Sequence, residues 1–123
     1  MQTLAQRLGA QAEDLVAARL RGQDWLLLGR NVRVGRAEVD ILALDPGPPA
    51  TLVAVEVRWR RRRDYGLPEE TVNRAKLARL RAAVLTLREA APLPGLPFGR
   101  VTVRVDVVAV EPGGVVRHHR AVG

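Results

Sequence analysis

Apolar side chains alternate with other residues through two stretches, Ala37 to Asp45 and Thr51 to Arg60. A period of two marks a β-strand, whose successive side chains point to opposite faces. Glu38 and Asp40 therefore share one face of the first strand, with Val39 and Ile41 on the other. In the second, Glu56, Arg58 and Arg60 share a face, with Val53, Val55, Val57 and Trp59 opposite. Pro46-Gly47-Pro48-Pro49 supplies turn residues between them, so the two strands are predicted to pair as a hairpin-like unit.

A helical period precedes this pair. Leu4 to Arg21 contains no proline and sets Leu8, Ala12, Leu15, Val16 and Leu20 at helical spacing, with Gly22 as its expected end. Trp25 to Val34 alternates as a strand. After the hairpin come the run Arg60-Arg61-Arg62-Arg63 and a loop with Tyr65, Gly66 and Pro68. A second helix is predicted over Glu69 to Ala90, with Val72, Leu77, Leu80, Val84 and Leu87 on its apolar side. Ala91 to Arg100, rich in Pro and Gly, is expected to be a connecting loop. Val101 to Val110 and a short segment from Val115 are expected to be the last two strands. The expected order is αβββαββ: one α/β domain over residues 1–123, with a central mixed β-sheet flanked by helices. Neither repeats nor a linker interrupt it.

Composition narrows the chemistry. The chain has 123 residues and no cysteine, which excludes disulfides, thiolate metal sites and a cysteine nucleophile. No segment reads as a signal peptide or a membrane span, so a cytoplasmic protein is expected. The formal charge is +7, which favours an anionic partner, with nucleic acid first. Nineteen of the twenty basic residues are Arg, so part of that charge reflects a compositional bias. Only Trp25, Trp59, Tyr65 and Phe98 are aromatic, too few for a base-stacking platform. Contact with the backbone of duplex or branched DNA fits better.

Carboxylates on adjacent strands, followed two residues on by a cation, suit metal-assisted phosphodiester hydrolysis. Asp40 and Glu56 are the best expected ligands for Mg²⁺ or Mn²⁺, the Val57 carbonyl a further oxygen, and Glu13 a third carboxylate. Glu38 is an auxiliary acid, either a ligand or a partner for Arg58. The competing reading is a cross-strand ion-pair ladder without chemistry. Apolar neighbours such as Leu42, Leu44 and Ala54 weigh against it, because acids among them are costly without partners or work. Arg60, Arg61, Arg62 and Arg63, with Arg58 and Arg74, would track a phosphate backbone, or else form a solvated edge. Asp106 is expected to pair with an Arg of the neighbouring strand. His118 and His119 face opposite ways and are expected at the surface.

Several short motifs carry a resemblance over nearly the whole chain. They are Gly9 with Glu13, Arg30-Asn31-Val32-Arg33, Glu38-Val39-Asp40-Ile41 and Val55-Glu56-Val57-Arg58 with Arg60. Tyr65-Gly66, Val72 with Lys76, and Arg104-Val105-Asp106-Val107-Val108 follow in order. Together they resemble the YraN family of small bacterial proteins, and more broadly the restriction-endonuclease-like superfamily. The set Glu13, Asp40 and Glu56 is most similar to that of archaeal Holliday junction resolvases. The resemblance implies a restriction-endonuclease-like core and a Mg²⁺- or Mn²⁺-dependent nuclease acting on DNA. A homodimer or a DNA-processing partner would accompany it. Two positions depart: Ala37 stands where the family usually has Gly, and Arg58 where the superfamily has Lys. Arg does not give up a proton, so the second departure bears on catalysis more than on metal binding. Lys76, the single lysine, lies on the helix that in this fold packs near the site, and would substitute for the missing lysine or contact phosphate. The alternatives are a catalytically silent nucleic-acid-binding module and an adaptor of a DNA-processing complex.

Overall fold

A computed structural model describes residues 1–60, 66–90 and 101–122. The chain runs α1 (Leu4–Gly22), β1 (Leu26–Val34), β2 (Ala37–Asp45), β3 (Thr51–Trp59), a 3₁₀ turn (Pro68–Thr71), α2 (Arg74–Ala90), β4 (Thr102–Glu111) and β5 (Val115–His119). The five strands form one sheet in sequence order. Only β3 and β4 are parallel, so the sheet is mixed, as expected. Among the described residues no helix is long and apolar enough to cross a membrane.

Local chemistry explains where the helices begin. The Thr3 hydroxyl accepts the Gln6 N–H at 3.1 Å while the Gln6 side chain accepts the Thr3 N–H at 2.9 Å. Such a reciprocal cap contributes about 1 kcal/mol. Ala12, Val16, Ala17 and Leu20 form the buried stripe of α1. The second helix starts later than its periodicity suggested. Pro68–Thr71 is a separate 3₁₀ turn, and the Asn73 side chain accepts the Lys76 N–H at 2.8 Å, so α2 opens at Arg74. That side-chain acceptor offers the backbone an alternative partner, which the apolar spacing alone could not reveal.

The sheet is covered on both faces. Ala12, Val16, Ala17 and Leu20 of α1 meet Ile41, Ala43, Val53, Val55, Val57, Val108 and Val110. Leu77, Leu80, Ala83 and Val84 of α2 meet Val39, Leu42, Leu52, Ala54, Val105 and Val107 on the opposite face. Gly9 lets α1 approach β3 closely: a Cβ there would stand 3.2 Å from Trp59 Nε1. In β3 the expected alternation holds, with Val53, Val55, Val57 and Trp59 toward α1. In β2 it fails at one point, since Val39 belongs to the α2 side and Ile41 to the α1 side. The break falls at Asp40, where the strand leaves its neighbour.

Candidate active site

Strands β2 and β3 pair from Asp45↔Thr51 up to Ile41↔Val55 and no further. Beyond that point the Val57 N–H, which a continued ladder would have matched to main chain, donates to Asp40 Oδ2 at 2.9 Å. A strand residue sends its N–H and C=O toward the same neighbour, so the Val57 carbonyl faces the β2 side as well. The side chain thus satisfies a backbone donor that the divergence exposes. Glu56, one residue earlier, extends the row Leu52 and Ala54 toward α2 and is only 2% exposed.

Two cations from different elements meet Glu56. Arg58 Nη2 and Lys76 Nζ each lie 2.9 Å from Glu56 Oε2. Lys76 reaches across because the Asn73 cap fixes the first turn of α2 over the end of the β2–β3 ladder. Among the described residues Arg58 Nε is buried without a hydrogen-bond partner, a defect worth about 1–3 kcal/mol in a site built only for stability.

Asp40 is the anomalous member. Burial, its hydrogen bond to Glu56 and the Glu56 charge push its pKa up to about 8, against the opposing pull of the Val57 N–H. At neutral pH that shift holds Asp40 in its protonated form beside Glu56.

The other expected acids are placed differently. Glu13 pairs with Arg30 at 3.4 Å, and Arg30 also holds Asp14 at 2.7 Å. Burial raises the Glu13 pKa, opposed by Arg30, with Glu38 and Asp14 adding repulsion. Glu13 feels Asp40 electrostatically but contacts Arg30. Glu38 bonds Arg33 at 3.4 Å rather than Arg58. No three His, Asp or Glu side chains converge to hold a metal among the described residues. Asp40, Glu56 and the Val57 carbonyl nonetheless make a fitting oxygen set. An acid held protonated beside a carboxylate can exchange that proton for a divalent cation, and Mg²⁺ normally keeps several waters.

Of the basic residues, Arg60 continues β3, its N–H donating to the Val110 carbonyl at 3.3 Å, and lines a depression with Val57, Arg58, Trp59 and Thr71. Arg74 faces a different depression, with Leu77, Ala78, Arg81 and Val122. Arg61, Arg62 and Arg63 lie outside the described residues, as do Tyr65 and the expected loop from Ala91 to Arg100.

A second buried acid occupies the α1 face. Asp106 accepts from Arg104 on its own strand at 2.7 and 3.0 Å, from the Ala121 N–H at 3.1 Å, and bonds His118 Nε2 at 2.8 Å. The partner is thus two residues away on the same strand, not an Arg of the neighbouring strand. His118 is half-buried beside Trp25, with ring centroids 5.6 Å apart, rather than fully at the surface. His119 faces the other way and bonds Glu69 at 2.8 Å. The Trp25 ring under Arg104 and Arg120 was the overlooked signal for a charged cluster here.

Fold and centre define a three-layer α/β/α domain with a buried acid–cation group where two central strands part. The chain belongs to the uncharacterised protein family UPF0102, the YraN family, whose model matches residues 12–110 and so spans the whole centre. A UPF0102 protein of Symbiobacterium thermophilum is 39% identical over 113 residues, covering 89% of this chain and 86% of its own. One from Arthrobacter sp. (strain FB24) is 40% identical over 121 residues, covering 94% and 95%. One from Clavibacter michiganensis is 38% identical over 113 residues, covering 88% and 85%.

Proposed function

We propose that this protein is a metal-dependent, nuclease-like DNA-binding protein with a restriction-endonuclease-like core, acting on duplex or branched DNA by phosphodiester hydrolysis. The observation that carries the reading is the buried Glu56 with half-buried Asp40 beside it, Lys76 Nζ and Arg58 Nη2 each standing 2.9 Å from Glu56 Oε2. The helix-first order and the acids on two central strands support the superfamily assignment. Asp40, Glu56 and the Val57 carbonyl would hold Mg²⁺ or Mn²⁺, which supplies a polarised phosphoryl oxygen and a water of lowered pKa. Hydrolysis adds the water oxygen to phosphorus and breaks one bond from phosphorus to a sugar oxygen. Arg58 neutralises the charge that develops on the phosphoryl oxygens. Lys76, which unlike Arg can surrender a proton, orients the attacking water or supplies a proton to the departing oxygen. Val57 and the Asn73 cap hold Asp40 and Lys76 at the centre.

Mn²⁺- or Mg²⁺-dependent cleavage of labelled duplex, flap, four-way junction and single-stranded DNA tests this, with Glu56→Ala beside the unaltered protein. Cleavage lost in the variant is expected. No cleavage by either, together with salt-sensitive binding to the same DNAs, would favour a silent binding module. That second reading draws support from Arg58 in the place of the superfamily lysine and from Glu13 being engaged by Arg30. Weak DNA binding with little salt dependence would favour an adaptor of a DNA-processing complex.

A further inference from the structure

A groove of about 330 Å³ leads away from the centre between the start of β2 and the outer face of α2. Arg36, Ala37, Glu38 and Asp40 form one wall, and Lys76, Arg79 and Leu80 the other. Both walls are rigidly set. Arg36 sits in the two-residue turn that joins β1 to β2, directly after Gly35 at φ +58, with Val34 paired to Ala37. Arg79 follows Lys76 by three residues on one helix, so the two cations lie on neighbouring turns of the same face.

Position beside Asp40 and Lys76, more than charge alone, separates this groove from an ordinary solvated edge, since Arg7, Arg19, Arg21, Arg60, Arg74 and Arg81 also bond no carboxylate among the described residues. Arg30, Arg33, Arg58, Arg88, Arg104, Arg117 and Arg120 all bond carboxylates. Arg36 and Arg79 are exposed and have no carboxylate partner among the described residues. Glu38, the nearest acid of the groove wall, is occupied by Arg33. On the far side of Glu56 a second depression, of about 290 Å³, carries Arg58, Arg60 and Thr71. The bonded trio Glu56, Arg58 and Lys76 stands between the two, each depression receiving one of its cations.

We propose that the groove between Arg36 and Arg79 is the second arm of a phosphate track, binding the backbone of duplex DNA on the side of the centre opposite Arg58 and Arg60. The inference rests on the reading that a phosphodiester lies at Asp40 and Glu56. It adds Arg36 and Arg79 as positioning residues that hold the strand on both sides of the reacting phosphate. Guanidinium forks suit this role, since they bond phosphate oxygens in pairs. A strand gripped on one side only could swing out of line with the attacking water.

The test is the salt dependence of binding to a labelled duplex, measured by fluorescence anisotropy without divalent metal so that cleavage plays no part. The unaltered protein is compared with Arg36→Ala/Arg79→Ala and with Arg36→Lys/Arg79→Lys. Arg19→Ala/Arg21→Ala, on the last turn of α1, serves as a control of equal charge. Each phosphate contact adds roughly 0.9 to the slope of log affinity against log salt, so the first variant is expected to lower it by about two. The lysine variant is expected to keep the slope, and the α1 control to leave it nearly unchanged. Steep binding by the unaltered protein with the same slope in Arg36→Ala/Arg79→Ala overturns the arm alone. An equal drop in the α1 control also overturns it, because bulk charge would then explain the loss. Absence of salt-dependent binding by the unaltered protein overturns the arm and the DNA-binding reading together.

Discussion

Glu56 and Asp106 lie on adjacent strands one register step apart, since Val55 pairs with Asp106 and Glu56 with Val107. They face opposite layers, and they are 2% and 0% exposed. Around Asp106, burial alone would raise the pKa, but His118, Arg104 and the Ala121 N–H hold it below the usual carboxylate range. Its acceptors are met and its charge is answered. Across the sheet, burial first and then Glu56 push Asp40 up to about 8, and Arg58 Nε has no hydrogen-bond partner among the described residues. A buried acid that only stabilises a fold is paired, as Asp106 is. On the proposed reading, the raised Asp40 pKa and the Arg58 Nε left without a partner among the described residues mark the centre that takes a ligand.

The largest expected difference between the two sites is in stability. Asp106→Asn leaves His118 without its carboxylate and Arg104 with Asp45 alone, and is expected to cost about 3 kcal/mol, read as a lowered urea midpoint. Asp40→Asn keeps an acceptor for the Val57 N–H and is expected to lie within about 1 kcal/mol of the unaltered protein at mildly acid pH. Equal losses in both variants would erase the distinction. Next in size is an effect on cleavage: Lys76→Arg is expected to lose about 100-fold in rate with little change in stability, if proton transfer needs a lysine. Arg58→Lys, which restores the superfamily residue, is expected to keep or increase the rate. Full activity in Lys76→Arg would assign that residue to phosphate binding alone.

Smaller, but specific in sign, is the dependence on pH. Asp40 has a folded pKa raised above its unfolded value of about 3.9. Its stabilising contribution is fully present below that value and is lost as pH rises toward about 8. Asp106 acts in the opposite sense, its contribution being present above the unfolded pKa and lost as acid protonates it. Thermal melts are therefore expected to fall on both the acid and the alkaline side. Asp40→Asn should keep the acid loss and flatten the decline between about pH 4 and 8.

Much of this contrast was legible in the residues. Period-two alternation located β3 and put Glu56 and Arg58 opposite Val55 and Val57, because nothing interrupts that strand. It misread β2, where Val39 and Ile41 enter different layers: the ladder ends at Ile41, and a strand leaving its neighbour has no signature in hydrophobicity. The start of α2 was missed because the Asn73 side chain, not apolar spacing, sets it. Lys76 at the centre was expected from resemblance, and its 2.9 Å contact to Glu56 is the matching geometry. Glu38 is taken by Arg33, its direct partner across the β1–β2 hairpin, a local ladder contact, whereas Glu13 on α1 is engaged by Arg30 of β1, a contact between elements that spacing does not reveal. His118 was taken for a surface residue since its cover, Trp25, is distant in the chain.

Calorimetric titration of the apoprotein with Mn²⁺, run at about pH 6.5 in two buffers of different ionisation enthalpy, tests the central claim directly. Replacement of the Asp40 proton by metal predicts saturable binding that releases about one proton per ion, with both binding and release sharply reduced in Asp40→Asn. Absence of Mn²⁺ uptake, or uptake and proton release unchanged in Asp40→Asn, would contradict it.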